Sequence, residues 1–166
     1  MSFGSSGGED FSSSALTLQG TILIEDLKAP KQSLKLYKKI NEKYKIHKNR
    51  YISSQALVLT AEALDRTTST IGEVIDAYKV LQDPKGEQRI QAIRSFKSKK
   101  GFLKKQKGKK ILLREMADPG AAVIKRLDRG NPVHTLYTRE HLGRMWYKVK
   151  TADGTIGWLE ENRVSF

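Results

Sequence analysis

Residues able to do chemistry are few in this chain, and they stand apart from one another. Cysteine is absent, which removes thiolate nucleophiles, disulfides and zinc–cysteine sites. His47, His134 and His141 have no spacing that suggests paired metal ligands, so each reads as a structural or solvated side chain. The acids Glu62, Asp65, Glu73 and Asp76 fall on the polar faces of two expected helices rather than forming an acid–base pair. The Gly-rich stretch from Gly4 to Gly8 lacks the Lys-Ser/Thr of a phosphate-binding loop. No catalytic residue, no metal site and no cofactor is expected on this basis, and the chain reads as a binding protein rather than an enzyme.

Charge is the stronger signal. The net charge is +13, and residues 97–110 hold eight lysines and no acid: Lys97, Lys99, Lys100, Lys104, Lys105, Lys107, Lys109 and Lys110. Self-repulsion would keep such a segment extended, as a solvated linker between two domains. The same lysines would also serve as a contact strip for an anionic membrane surface or a polyanion, with Phe102 and Leu103 as a small apolar anchor. Residues 111–166 carry nine basic and seven acidic side chains, so that part is nearly neutral.

The elements that must position these residues change character along the chain. Residues 1–14, dominated by Gly and Ser, are expected to be a flexible leader. The partly β-branched residues 15–27, with Gly20 in the middle, suggest one bulged strand or an extended arm. After Pro30 the apolar residues Leu34, Tyr37, Ile40 and Tyr44 recur at helical spacing, predicting a helix over residues 31–46. A second helix capped by Ser53 or Ser54 would run to Leu64. A third begins after Ser69 or Thr70, where Glu73 completes a capping box. Asp83-Pro84-Lys85-Gly86 is expected to stop it, and a fourth helix would span Glu87 to about Phe96. Together, residues 15–96 read as a small helical bundle.

From Ile111 the apolar period shortens to two. Strands are expected at residues 111–114, 122–127, 133–137, 145–150 and 155–159, with residues 162–164 closing the edge. Asp118-Pro119-Gly120, Asp128-Arg129-Gly130 and Ala152-Asp153-Gly154 supply turns. The expected fold is therefore α+β with two domains, a helical bundle followed by a five-stranded β-barrel.

The order of features in this barrel resembles the bacterial SH3 domain family. That family runs through a Leu-x-Val-Arg opening, Val-Ile-x-x-Leu, a turn ending in Gly, Trp-Tyr-Lys-Val and Gly-Trp-Val/Leu. Here stand Ile111-Leu112-Leu113-Arg114, Val123-Ile124-Lys125-Arg126-Leu127, Gly130, Trp146-Tyr147-Lys148-Val149 and Gly157-Trp158-Leu159. Two places depart from it: residues 115–119 replace the usual Ser-Gly-Pro, and residues 138–144 lengthen the excursion before Trp146. The resemblance implies binding of a peptide, a cell-wall component or a partner protein in the bacterial cell envelope. A leader of Gly and Ser also suits the tether of a lipoprotein whose signal and lipid-bearing cysteine have been removed. The alternative is a cytosolic nucleic-acid-binding protein in which the lysine strip and the small barrel share one ligand, which the near-neutral charge of the barrel disfavours.

Strand alternation places the ligand residues. With Tyr147, Val149 and Leu159 turned inward, Trp146, Lys148 and Trp158 turn outward. Trp146 and Trp158, joined by Tyr137, are then expected to line a shallow groove, with Arg139 and Arg144 beside it.

Overall fold

The computed structural model describes residues 6–44, 50–104 and 110–166. It is α+β: five helices precede an antiparallel sheet of seven strands. The chain divides into two compact units between Leu64 and Asp65, not within residues 97–110, and helices expected in one bundle fall into different units.

The first unit, Met1–Leu64, holds α1 (Ser6–Glu25), α2 (Pro30–Tyr44) and all but the end of α3 (Arg50–Arg66). The expected leader is helical from Ser6 onward, and the expected strand over residues 15–27 continues the same helix as far as Glu25. Packing explains the reversal. A Cβ on Gly20 would come within 2.5 Å of the Tyr37 ring, so the glycine that suggested a bulge is where α2 makes a close approach. Ser33 Oγ donates to the Gly20 carbonyl at 2.7 Å, and Ile24, Tyr37 and Ile40 are buried. The helix propensity lost at β-branched Thr and Ile, a few tenths of a kcal/mol each, is outweighed by this burial. The α3 helix begins at Arg50 rather than at a Ser53 or Ser54 cap, and the expected end of α2 near Ile46 lies outside the described residues.

The second unit, Asp65–Phe166, begins with the last residues of α3 and contains α4 (Ile71–Leu81) and α5 (Pro84–Ser95). The Thr70 capping box is present, and Gln82, in the left-handed region at φ +50°, ends α4. Asp83 does more than stop a helix: its carboxylate accepts from the Gly86 amide at 2.6 Å and caps α5, with Pro84 in the first helical position.

The strands are β1 (Lys100–Leu103), β2 (Ile111–Arg114), β3 (Val123–Leu127), β4 (Pro132–His141), β5 (Arg144–Thr151), β6 (Ile156–Glu160) and β7 (Val164–Ser165). A 3-10 turn, Glu161–Arg163, leads into β7. The sheet order is β3-β2-β6-β5-β4-β1-β7. Five strands were expected, and β1 is the main addition. It lies in the lysine-rich segment read as a linker, pairing Gly101 with Val133 and Leu103 with Val164. Lysine charge hides an alternation there, since Gly101 and Leu103 are buried while Lys100 and Phe102 are exposed. The core is Leu103, Ile111, Leu113, Leu127, Val133, Val149, Leu159 and Val164, with Tyr147 half-buried against it.

Candidate functional site on the outer face of the barrel

A β-bulge arranges the opposite face. Thr135 pairs with Val149, but the register then shifts and Tyr137 pairs with Lys148. The extra residue, Leu136, brings Tyr137 onto the face that does not point into the core. Directly opposed residues share a face, so two rows cross β4, β5 and β6. One is Tyr137–Lys148–Trp158; the other is Arg139–Trp146–Glu160. The expected strand parity holds, and the two tryptophans do share the outer face with Tyr137.

Their expected exposure does not hold. Tyr137 and Trp146 are each 1% exposed and Trp158 and Lys148 0%. The row of Tyr137 and Trp158 is covered by its own unit. The Trp158 indole N–H donates to the Thr67 carbonyl at 2.9 Å, and the Tyr137 hydroxyl donates to the Asp65 carbonyl at 3.1 Å. The Asp65 carboxylate accepts from Arg89 at 2.7 and 3.0 Å, from Arg139 at 2.9 Å and from the Tyr78 hydroxyl at 3.1 Å. Tyr137 and Trp158 meet edge to face, with centroids 5.8 Å apart. Three of the five expected ligand residues, Tyr137, Trp158 and Arg139, thus belong to an intramolecular polar cluster rather than to an open groove.

The electrostatics follow from burial and pairing. Burial works to raise the Asp65 pKa, but the hydrogen bonds and charges of Arg89, then the charge of Arg139, outweigh it and hold the carboxyl below its ordinary range. Burial, and then the Asp65 charge, push both Tyr78 and Tyr137 well above the ordinary phenol value. Lys148 donates to the Tyr137 hydroxyl at 3.0 Å, and burial pushes it down to about 7. The Asp65 and Glu73 charges act to raise it, but burial outweighs them, and the Arg89 and Arg139 charges add to the lowering.

The second row opens toward solvent on its β6 side. Trp146 and Glu160, with Ile111, Leu112 and Arg114 of β2, line a cavity of about 150 Å³, completed by Lys110 and Arg163. A second, more polar cavity of about 470 Å³ shares Glu160 and Arg163 and adds Arg144 and Met145. Of the expected ligand residues, buried Trp146 lines the first cavity and exposed Arg144 the second, where Arg144 pairs with Glu160 at 3.3 Å. Trp146 Nε1 is buried without a hydrogen-bond partner among the described residues. Most buried polar atoms have partners, which makes this donor unusual.

Of the expected anionic-surface lysines, Lys97, Lys99, Lys100, Lys104 and Lys110 are exposed; Lys105, Lys107 and Lys109 lie outside the described residues. Lys100 sits 5.7 Å from the exposed Phe102 ring, whereas Leu103 is buried in the core. The excursion over residues 138–144 is a regular hairpin: β4 and β5 pair up to His141 and Arg144, around Leu142 and Gly143 at φ +50° and +70°. His141 Nε2 lies 3.0 Å from Asp118 Oδ2. Among the described residues no group of acids and histidines is placed to hold a metal ion, and no helix is long and apolar enough to cross a membrane.

Sequence reasoning missed Thr67, Tyr78, Arg89 and the buried state of Lys148, and it assigned Asp65 to a solvated helix face. Arg139 and Lys148 on one expected outer face, both basic, were the available sign that an acid must come to meet them. No curated protein and no solved structure matches the chain. The features of this barrel, from the β2 opening to Gly157 and Trp158, agree with a match of residues 112–165 to the family model described as bacterial SH3 domain; the C-terminal third of the chain is a domain of that family.

Proposed function

We propose that this chain is a non-enzymatic binding protein of the bacterial cell envelope. Its barrel takes a peptide, a wall component or a partner protein at the cavity beside Trp146. The family is one often involved in binding, and the observation that carries the location is Trp146 itself: its indole donor is buried without a partner among the described residues, and the residue lines a cavity with both apolar and cationic walls. The row of Tyr137 and Trp158 is disfavoured as the ligand surface because Asp65 and Thr67 already use its donors. Lys99, Lys100 and Lys104 around the exposed Phe102 support a second, electrostatic contact with an anionic surface.

Cosedimentation of the full chain with isolated cell-wall sacculi tests the reading. Retention is expected, and Arg144→Gln should lower it several-fold without changing the unfolding midpoint, because Arg144 is exposed. No retention, or equal retention of both proteins, would overturn it.

A further inference from the structure

We infer that the cavity beside Trp146 receives the carboxylate end of a peptide. The inference rests on the ligand-binding reading above and names the chemistry of the ligand at that same place.

Charge is distributed unequally along the surface. The larger cavity is balanced, with Arg144 and Arg163 facing Glu160 and Glu161. The smaller one is not: among the described residues Lys110 and Arg114 line it with no acid that the larger cavity does not share, and that shared acid, Glu160, already accepts from Arg144. Arg114 commits Nη1 to the Ala121 carbonyl at 2.7 Å, and a guanidinium has further donors in its fork. A group entering here must therefore be an acceptor and is favoured if it is anionic. Arginine matches a carboxylate in both shape and charge.

Size and wall composition narrow the class. About 150 Å³ accommodates a few heavy atoms rather than a folded surface. Ile111, Leu112 and the Trp146 ring form an apolar wall next to the cations. A carboxylate on a short apolar stem fits both parts, and a peptide terminus with a small last side chain is such a group. The remainder of the peptide then continues over the balanced cavity, where Arg144, Glu160 and Asn162 offer both donors and acceptors. A nucleic-acid backbone fits this place less well, because its phosphates repeat along a strand whereas a cavity of about 150 Å³ admits one small group.

The full chain, labelled with nitrogen-15, is titrated with acetyl-trialanine as the free acid and, separately, as the C-terminal amide, while the Trp146 indole resonance is followed. The free acid is expected to shift it saturably, with the amide at least tenfold weaker. Lys110→Gln, an exposed substitution, and Arg114→Gln should each weaken the acid and leave the amide unchanged. If acid and amide shift the resonance equally, the carboxylate assignment is overturned while the binding site stands. Inorganic phosphate shifting it as strongly as the acid would reduce the place to a general anion site. If neither peptide moves it but sacculi still retain the chain, the ligand lies elsewhere on the barrel and both the inference and the location are wrong. An oligonucleotide that shifts Lys99 and Lys104 and also Trp146 would replace the peptide by a polyanion.

Discussion

Trp158 and Thr67, 91 positions apart in sequence, are joined by a single 2.9 Å bond from the indole N–H to the backbone carbonyl. Two residues before Thr67, the Asp65 carbonyl takes the Tyr137 hydroxyl in the same way. The outer face of the barrel is thereby attached to the segment that precedes α4, and the folded unit starts at Asp65 rather than at the first strand of the family match. Expressed alone, residues 65–166 should unfold cooperatively, whereas residues 111–166 should not. The shorter piece loses β1, which lies between β4 and β7, and both backbone partners of the outer face. Urea titrations followed by tryptophan fluorescence compare the two; a cooperative transition in the shorter fragment would count against this unit.

Among the described residues Asp65 is the acid that pairs with both Arg89 and Arg139, and it is fully buried. Asp65→Asn keeps the shape but leaves two guanidinium groups without a counterion. A loss of about 3–5 kcal/mol is expected, as for other buried pairs broken from one side. The midpoint in urea should fall with little change in slope. A loss below about 1 kcal/mol would place Asp65 in a solvated environment.

Much of the barrel is legible in the sequence because its signals are local. Alternation within β2 to β6, the Asp-Gly turn at Asp153 and Gly154, and the Thr70 capping box each involve residues a few positions apart. The parity of Trp146, Lys148 and Trp158 follows from the same alternation and holds. What covers that face does not: Asp65 and Thr67 reach Tyr137 and Trp158 over 72 and 91 positions, and no local pattern encodes such a contact. Gly20 misled for a related reason, since its lack of a side chain serves Tyr37 of another helix and not a bulge in its own segment. In β1, four residues of alternation are too short to stand out against eight lysines.

The two aromatics of Trp146-Tyr147 should respond unequally to truncation. Trp146 is 1% exposed while Tyr147 is half-buried, packed between Phe96 and Phe166. Trp146→Ala should destabilise by about 3–5 kcal/mol and Tyr147→Ala by roughly half as much. This reverses the order that an outward, solvated Trp146 would give. Equal denaturant midpoints for Trp146→Ala and the wild type would restore the exposed groove.

Lys148 gives stability a pH dependence of known sign. Its folded pKa, about 7, lies below the ordinary 10.5, so between pH 7 and 10 the unfolded chain binds the additional proton. Stability should therefore rise with pH across that window, by at most about 1.4 kcal/mol per pH unit from this group, and its contribution should level off below pH 7. Above pH 10 the raised pKa values of Tyr78 and Tyr137 act in the opposite direction, because the unfolded phenols release protons that the folded ones retain. Lys148→Met should remove the rise between pH 7 and 10. An unchanged slope in that variant would show that Lys148 is charged in the folded state.

The outer face is held to be divided into a row sealed by the chain itself and a row that meets a ligand. The two tryptophan indole N–H signals of the full chain report on the two rows separately. On addition of soluble wall muropeptide, the Trp146 signal should shift in proportion to occupancy, while the Trp158 signal, bonded to the Thr67 carbonyl, should stay in place and exchange slowly with solvent. A shift of Trp158 together with loss of its exchange protection would contradict the account, because it would mean that the ligand displaces Asp65 and Thr67 and that the sealed row is the binding surface.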